Sequence, residues 1–146
     1  MKRVDIEDCE LGDDMVLFEG VPFSGILFAL HDDGIIAYEH EFRDGFPDGI
    51  SKDWHQNGVL RREACFKWGR VDGLVKEYYP NGERMLEKEV EFGATVALQR
   101  WGEEGRLVED WVVDLDSATG RYVERCRREV AELGSRLNVG SRPGED

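Results

Sequence analysis

Short apolar and polar stretches alternate along the chain at a spacing that suits strands, and the alternation recurs. GILFALHDDG (Gly25 to Gly34), GISKDWHQNG (Gly49 to Gly58) and GLVKEYYPNG (Gly73 to Gly82) align, with opening glycines 24 residues apart. A fixed interval of this size marks a repeat architecture. A degenerate fourth copy reads VALQRWGEEG from Val96 to Gly105 and continues RLVEDWVVD, and a partial copy, MVLFEGVPFSG, precedes the first complete one. Within a unit, Asp-Asp-Gly, Gln-Asn-Gly, Pro-Asn-Gly and Glu-Glu-Gly predict one reversal, because each ends in a residue that tolerates positive φ. Asp44-Gly45 leading to Asp48-Gly49, and Trp68-Gly69 leading to Asp72-Gly73, predict a second. The runs between reversals have the length of strands, and a helix would be broken at each glycine. Each unit is therefore expected to be a β-hairpin.

Two apolar columns run through the units. Ile26 and Leu30, Ile50 and Trp54, and Leu74 and Tyr78 occupy the first and fifth positions after each opening glycine, so they share one face of a strand. Trp54, Tyr78 and Trp101 in this column are expected in the core. In the second strand, Phe42, Phe66, Val90 and Val113 form another apolar column. Glu39, Glu63, Glu87 and Asp110 form an acidic one. Equivalent residues sit two strands apart, about 9.6 Å, and the Debye length is about 8 Å, so their mutual repulsion is small. Arg61, Arg62, Arg84 and Arg106 are the expected cross-strand partners. The column reads as structural, with binding as the alternative.

From Asp116 the period changes. Val123, Cys126, Val130 and Leu133 fall on one stripe of an amphipathic helix, with Asp116 or Ser117 as its cap and Gly134 at its end. The organisation expected is an N-terminal segment over 1–14, a hairpin array over 15–115, a helix over 116–134 that caps an edge or face of the sheet, and a loose tail over 135–146. Cys126 is expected as a small buried residue.

Composition narrows the classes of partner. The 146 residues include 32 acidic and 19 basic side chains, a formal charge of -13. Nucleic-acid backbones and anionic membranes are repelled by such a surface, so neither is expected as a direct partner. The surplus is local: residues 1–48 hold three basic and thirteen acidic side chains, net -10, and residues 49–72 hold five and three, net +2. No apolar run reaches the roughly 18 to 20 residues of a spanning helix, and the first residues lack the apolar core of a secretion signal. The expected location is the cytoplasm, with Cys9, Cys65 and Cys126 as reduced thiols.

The pattern GxxxxYYxNGxxxxExxF, clearest from Gly73 to Val90 with Val90 in place of the aromatic, resembles the bacterial variant of the membrane occupation and recognition nexus (MORN) repeat. Gly20-Val21-Pro22-Phe23-Ser24-Gly25 is similar to the linker between such units, and the resemblance covers roughly residues 15–113. The first unit departs from it, with Leu30 and His31 for the aromatic pair, and Arg84 stands in an apolar column. The resemblance implies an elongated antiparallel β-meander of stacked hairpins, mainly β, that serves as a platform for protein partners. Many bacterial members are labelled antitoxin components, and some accompany secreted toxins as immunity proteins.

Catalytic and metal motifs are not found. His31, His40 and His55 are the only histidines, and His31 and His55 occupy one repeat column with Tyr79, so they are interchangeable in a way a catalytic base is not. No phosphate-binding loop, HExxH or GxSxG is present, and no cofactor, catalytic residue or metal site is expected. The expected role is a non-catalytic module that binds and neutralises a basic protein, an antitoxin or immunity protein for a toxin. The alternative is a general scaffold without a toxin, with self-association through a sheet edge. The candidate contacts are Asp32, Asp33, Glu39, Glu41, Asp44 and Asp48 at the acidic end, and His31, His55 and Tyr79, which point away from the aromatic core column.

Overall fold

The computed structural model describes residues 1–139. The fold is mainly β, a large mixed sheet of consecutive antiparallel hairpins with one C-terminal helix. In the main sheet, β5 (Gly25–Leu30), β6 (Ile36–Arg43), β7 (Phe46–Trp54), β8 (Leu60–Lys67), β9 (Arg70–Tyr78), β10 (Arg84–Glu91), β11 (Ala94–Trp101) and β12 (Leu107–Val112) follow in chain order. The N-terminal edge is taken by β1 (Arg3–Asp5), which pairs parallel with β5. A second sheet joins β2 (Glu10–Leu11), β3 (Val16–Phe18) and β4 (Val21–Pro22). The partial repeat therefore forms its own hairpin and does not extend the main sheet. The chain divides into two compact units, residues 1–111 and the part from Val112 onward.

Both predicted reversals form, by different means. At His31, His55 and Tyr79 the N–H donates to the carbonyl four residues on, and the glycine three residues on donates back. Asp33, Asn57 and Asn81 complete these turns by accepting from the N–H two residues later. The other reversal is tighter than expected, since Asp48-Gly49 and Asp72-Gly73 lie within β7 and β9, and it pairs a non-glycine residue in the left-handed region with glycine, as at Asp44 (φ 50°) and Gly45 (φ 89°). Positive φ at both central residues defines the tight turn whose twist matches the flanking strands.

The register places the core on one face of the sheet. Leu27, His40, Ser51, Ala64, Val75, Lys88 and Leu98 stand opposite one another strand by strand. Leu27, Ser51, Ala64 and Val75 in this row are at most 3% exposed. Phe42, Phe66 and Val90 share that face, and Phe66 packs with Val71 and Leu86 around Ala64, Val75 and Val90. Val113 lies beyond the end of β12. At the N-terminal end, Val4, Val16, Phe23 and Leu27 form a second cluster, against which Ile6, Cys9, Phe18 and Phe42 pack. Val4, Ile6 and Cys9 thus tie the N-terminal segment to this cluster.

The other predicted apolar column is not core. Leu30, Ile50 and Leu74 are 50%, 43% and 45% exposed, and Trp54 and Tyr78 are only half-buried. Trp101 alone in that column is buried, beneath the Arg84 guanidinium 4.3 Å from its ring. The first-strand residues that fill the core are Leu27, Ser51 and Val75, one position later, and the serine in the middle copy hides that column from an apolar count.

In the second unit, Ser117 caps α1 (Ala118–Val139). Its Oγ accepts from the Gly120 N–H at 3.0 Å. Gly120 is required there, since a Cβ would collide with the Asp114 carbonyl and Leu115. The helix runs through Gly134 instead of ending at it, so Ser135–Val139 is helical, and the remainder of the expected tail, 140–146, lies outside the described residues. Val123 is fully buried and Cys126 half-buried, whereas Val130 and Leu133 are exposed, so only the first half of the predicted stripe is covered.

Candidate functional site

The face opposite the core carries the acidic column. Phe28, Glu39, Lys52, Glu63, Lys76, Glu87 and Gln99 stand opposite one another in successive strands. Lys52 falls between Glu39 and Glu63, and Lys76 between Glu63 and Glu87. Nearest-neighbour strands are about 4.8 Å apart, so each interior acid meets opposite charge before it meets another acid. Of the expected arginine partners, Arg62 and Arg84 are engaged elsewhere. Arg62 reaches Glu77 on the core face at 3.6 Å, and Arg84 covers Trp101. The ladder is closed at its N-terminal end by Arg3, whose guanidinium donates to Glu39 Oε1 at 2.7 Å while lying over the Phe28 ring.

At that end the ladder borders a shallow groove of about 120 Å³ lined by Ile26, Glu39, Glu41, Ile50 and Lys52. The Glu41 carboxylate accepts from the Ile50 N–H at 3.0 Å. A wider depression of about 500 Å³ adjoins it, with Glu41, Arg43 and Asp48 on its wall. Asp48 Oδ2 accepts from the Trp68 N–H, and Ser24 Oγ from the Asp44 N–H, the same bond one unit earlier. Of the acidic candidates, then, Glu39, Glu41 and Asp48 come together, each holding a structural bond. Asp32 and Asp33 lie at a hairpin turn, and Asp44 at the next reversal; all three are exposed.

His31, His55 and Tyr79 form a repeated clamp. His31 Nε2 bonds the Trp54 carbonyl at 3.0 Å, His55 Nε2 the Tyr78 carbonyl at 2.8 Å, and the Tyr79 hydroxyl donates to the Trp101 carbonyl at 2.8 Å. Each side chain ties its own unit to the next. Because a carbonyl only accepts, Nε2 must carry the proton in both histidines. The fourth unit has Gly102 at this position, and Gly102 makes the turn bonds without a clamp.

One polar cluster lay outside the candidate set. On the core face, His40 Nε2 is 3.1 Å from Asp53 Oδ1, and the Tyr38 ring stacks on His40 with centroids 4.6 Å apart. Burial, then the charges of Asp5 and Asp53, raise the Tyr38 phenol above its ordinary pKa. Cys9 is raised likewise, by burial and then by Asp8 and Asp5. Both groups are held neutral, the opposite of what an activated nucleophile needs. The sequence signal was present, since His40 and Tyr38 lie two apart on one strand, but their pairing with Asp53 required the register. Among the described residues, no group of three or more His, Cys, Asp or Glu side chains is placed to hold a metal ion. No described helix is long and apolar enough to cross a membrane.

A sheet of repeated hairpins, with charge ladders in place of a cleft, belongs to the class of β-repeat proteins. Within the array, residues 47–67 and 71–91 match the family model described as the MORN repeat variant. These segments are β7–β8 and β9–β10, the hairpins whose ladder and clamp residues are most regular. No curated protein and no solved structure matches the chain.

Proposed function

We propose that the chain is a non-catalytic protein-binding module whose acidic N-terminal end docks a basic protein and neutralises it, as an antitoxin or immunity protein does a toxin. The observation that carries this reading is the exposure of the local charge surplus. Glu7, Asp8, Glu10, Asp13, Asp14, Glu19, Asp32, Asp33 and Asp44 are all exposed in the first 48 residues. Two of the three basic side chains there are occupied: Lys2 lies over Phe18, and Arg3 binds Glu39. Exposed acids at this end of the chain attract a basic surface, and such steering weakens as salt rises. MORN repeats generally serve as binding modules, and the match over residues 47–67 and 71–91 supports that class of role.

Co-expression with the product of the adjacent gene tests the reading. The two proteins are expected to co-purify and growth arrest by that product to be relieved, with Asp13→Lys and Asp14→Lys together slowing association. Neither binding nor relief would refute the neutralising role.

A further inference from the structure

We propose that the outer edge of β12 is a strand-addition site for an extended segment of another protein in which apolar residues alternate with lysine or arginine. Strand β12 is the last of the main sheet, paired with β11 on one side only. A terminal strand presents a row of unpaired N–H and C=O groups, which natural proteins usually guard with charged side chains, lysine above all, with proline, a bulge, a covering element or a very short strand. Leu107–Val112 reads LVEDWV, six residues without lysine, arginine or proline, whose charged guards, Glu109 and Asp110, are both acidic and so repel an acidic strand but not a basic one. Its apolar side chains lie on both faces and are open: Leu107 and Trp111 are 44% and 38% exposed on one, Val108 is 60% exposed on the other. An added strand would gain ladder hydrogen bonds and an apolar pair on either face.

Charge selects the occupant. Glu109 and Asp110 stand in the middle of the strand, with Asp110 exposed and Glu109 held beside Trp111 Nε1 at 3.0 Å and Arg100 at 3.4 Å. A second copy pairing antiparallel meets like charge in every central register. With Leu107 opposite Val112, Glu109 faces Asp110; shifted by one residue either way, Glu109 faces itself or Asp110 does. The far edge of the sheet offers a second copy little, because β1 has three residues and its Arg3 is bound to Glu39. A segment with lysine or arginine opposite Glu109 and Asp110 meets no such penalty.

The inference shares only the partner's sign of charge with the neutralising role, and rests on a different surface. The full chain is titrated with a short peptide alternating valine and lysine, a valine–glutamate counterpart, and the lysine peptide with prolines inserted, while amide hydrogen exchange is followed strand by strand. The lysine peptide is expected to bind and to slow exchange across β12. Proline insertion, which removes ladder donors, should weaken it about tenfold. Asp110→Lys should shift the preference toward the glutamate peptide by about fivefold. Equal binding of the proline peptide, or protection away from β12, overturns the proposal. So does protection of β12 by dimerisation of the peptide-free chain. If Asp13→Lys with Asp14→Lys abolishes peptide binding and Asp110→Lys does not, the edge is excluded while the acidic-end reading stands.

Discussion

At the residue scale, the clamp column separates side-chain identity from the bond that it makes. His31, His55 and Tyr79 differ chemically, yet each reaches the carbonyl one unit ahead, at Trp54, Tyr78 and Trp101. His55→Ala leaves the half-buried Tyr78 carbonyl without that donor and should lower stability by about 1–2 kcal/mol, read from the urea midpoint. His55→Tyr should recover most of the loss, because Tyr79 shows that a phenol spans the same gap. If alanine costs nothing, the contact is incidental. The sequence showed these residues as one column and one face, and read them as surface; their acceptor is a backbone atom 22 or 23 residues away, which no side-chain pattern displays.

At the scale of the strand, the two faces respond to different physics. Val75 is fully buried, and Val75→Ala should cost about 2 kcal/mol by lost transfer energy and the void that remains. Leu74→Ala, on the neighbouring residue at 45% exposure, should cost less than about 0.5 kcal/mol. The reverse order in thermal or urea unfolding would contradict the register. On the ladder face, Lys76→Glu puts an acid between Glu63 and Glu87, turning two favourable cross-strand pairs into repulsive ones. The expected loss is roughly 1 kcal/mol at low salt, discounted for partial exposure, and should shrink in 1 M salt as the Debye length falls to about 3 Å. A salt-independent loss would point to packing instead.

At the scale of the whole molecule, charge and fold are coupled at the N-terminal end. Cys9 and Tyr38 both ionise at higher pH in the folded chain than ordinary thiols and phenols do. A raised pKa means that the folded state holds the proton more tightly, so their contribution is complete below the unfolded values, about 8.5 and 10, and is lost as pH rises through the folded ones. Stability should fall above about pH 9, and Tyr38→Phe should make the fall shallower; an unchanged slope would remove Tyr38 from the cause. By itself the sequence determined the repeat interval, the hairpins, their turns, the helix near the C-terminus and the acidic end, because glycine and Asx residues at fixed spacing dictate local backbone and because charge adds up along the chain. Tertiary structure alone decided which face is core, which bases stand opposite the acidic column, what the clamp residues hold, and that Arg3–Asp5 adds a parallel strand. Those outcomes depend on which residues stand opposite one another across strands, and at a side-chain period of two a single bulge, as between His40 and Phe42, changes the pairing without changing the pattern.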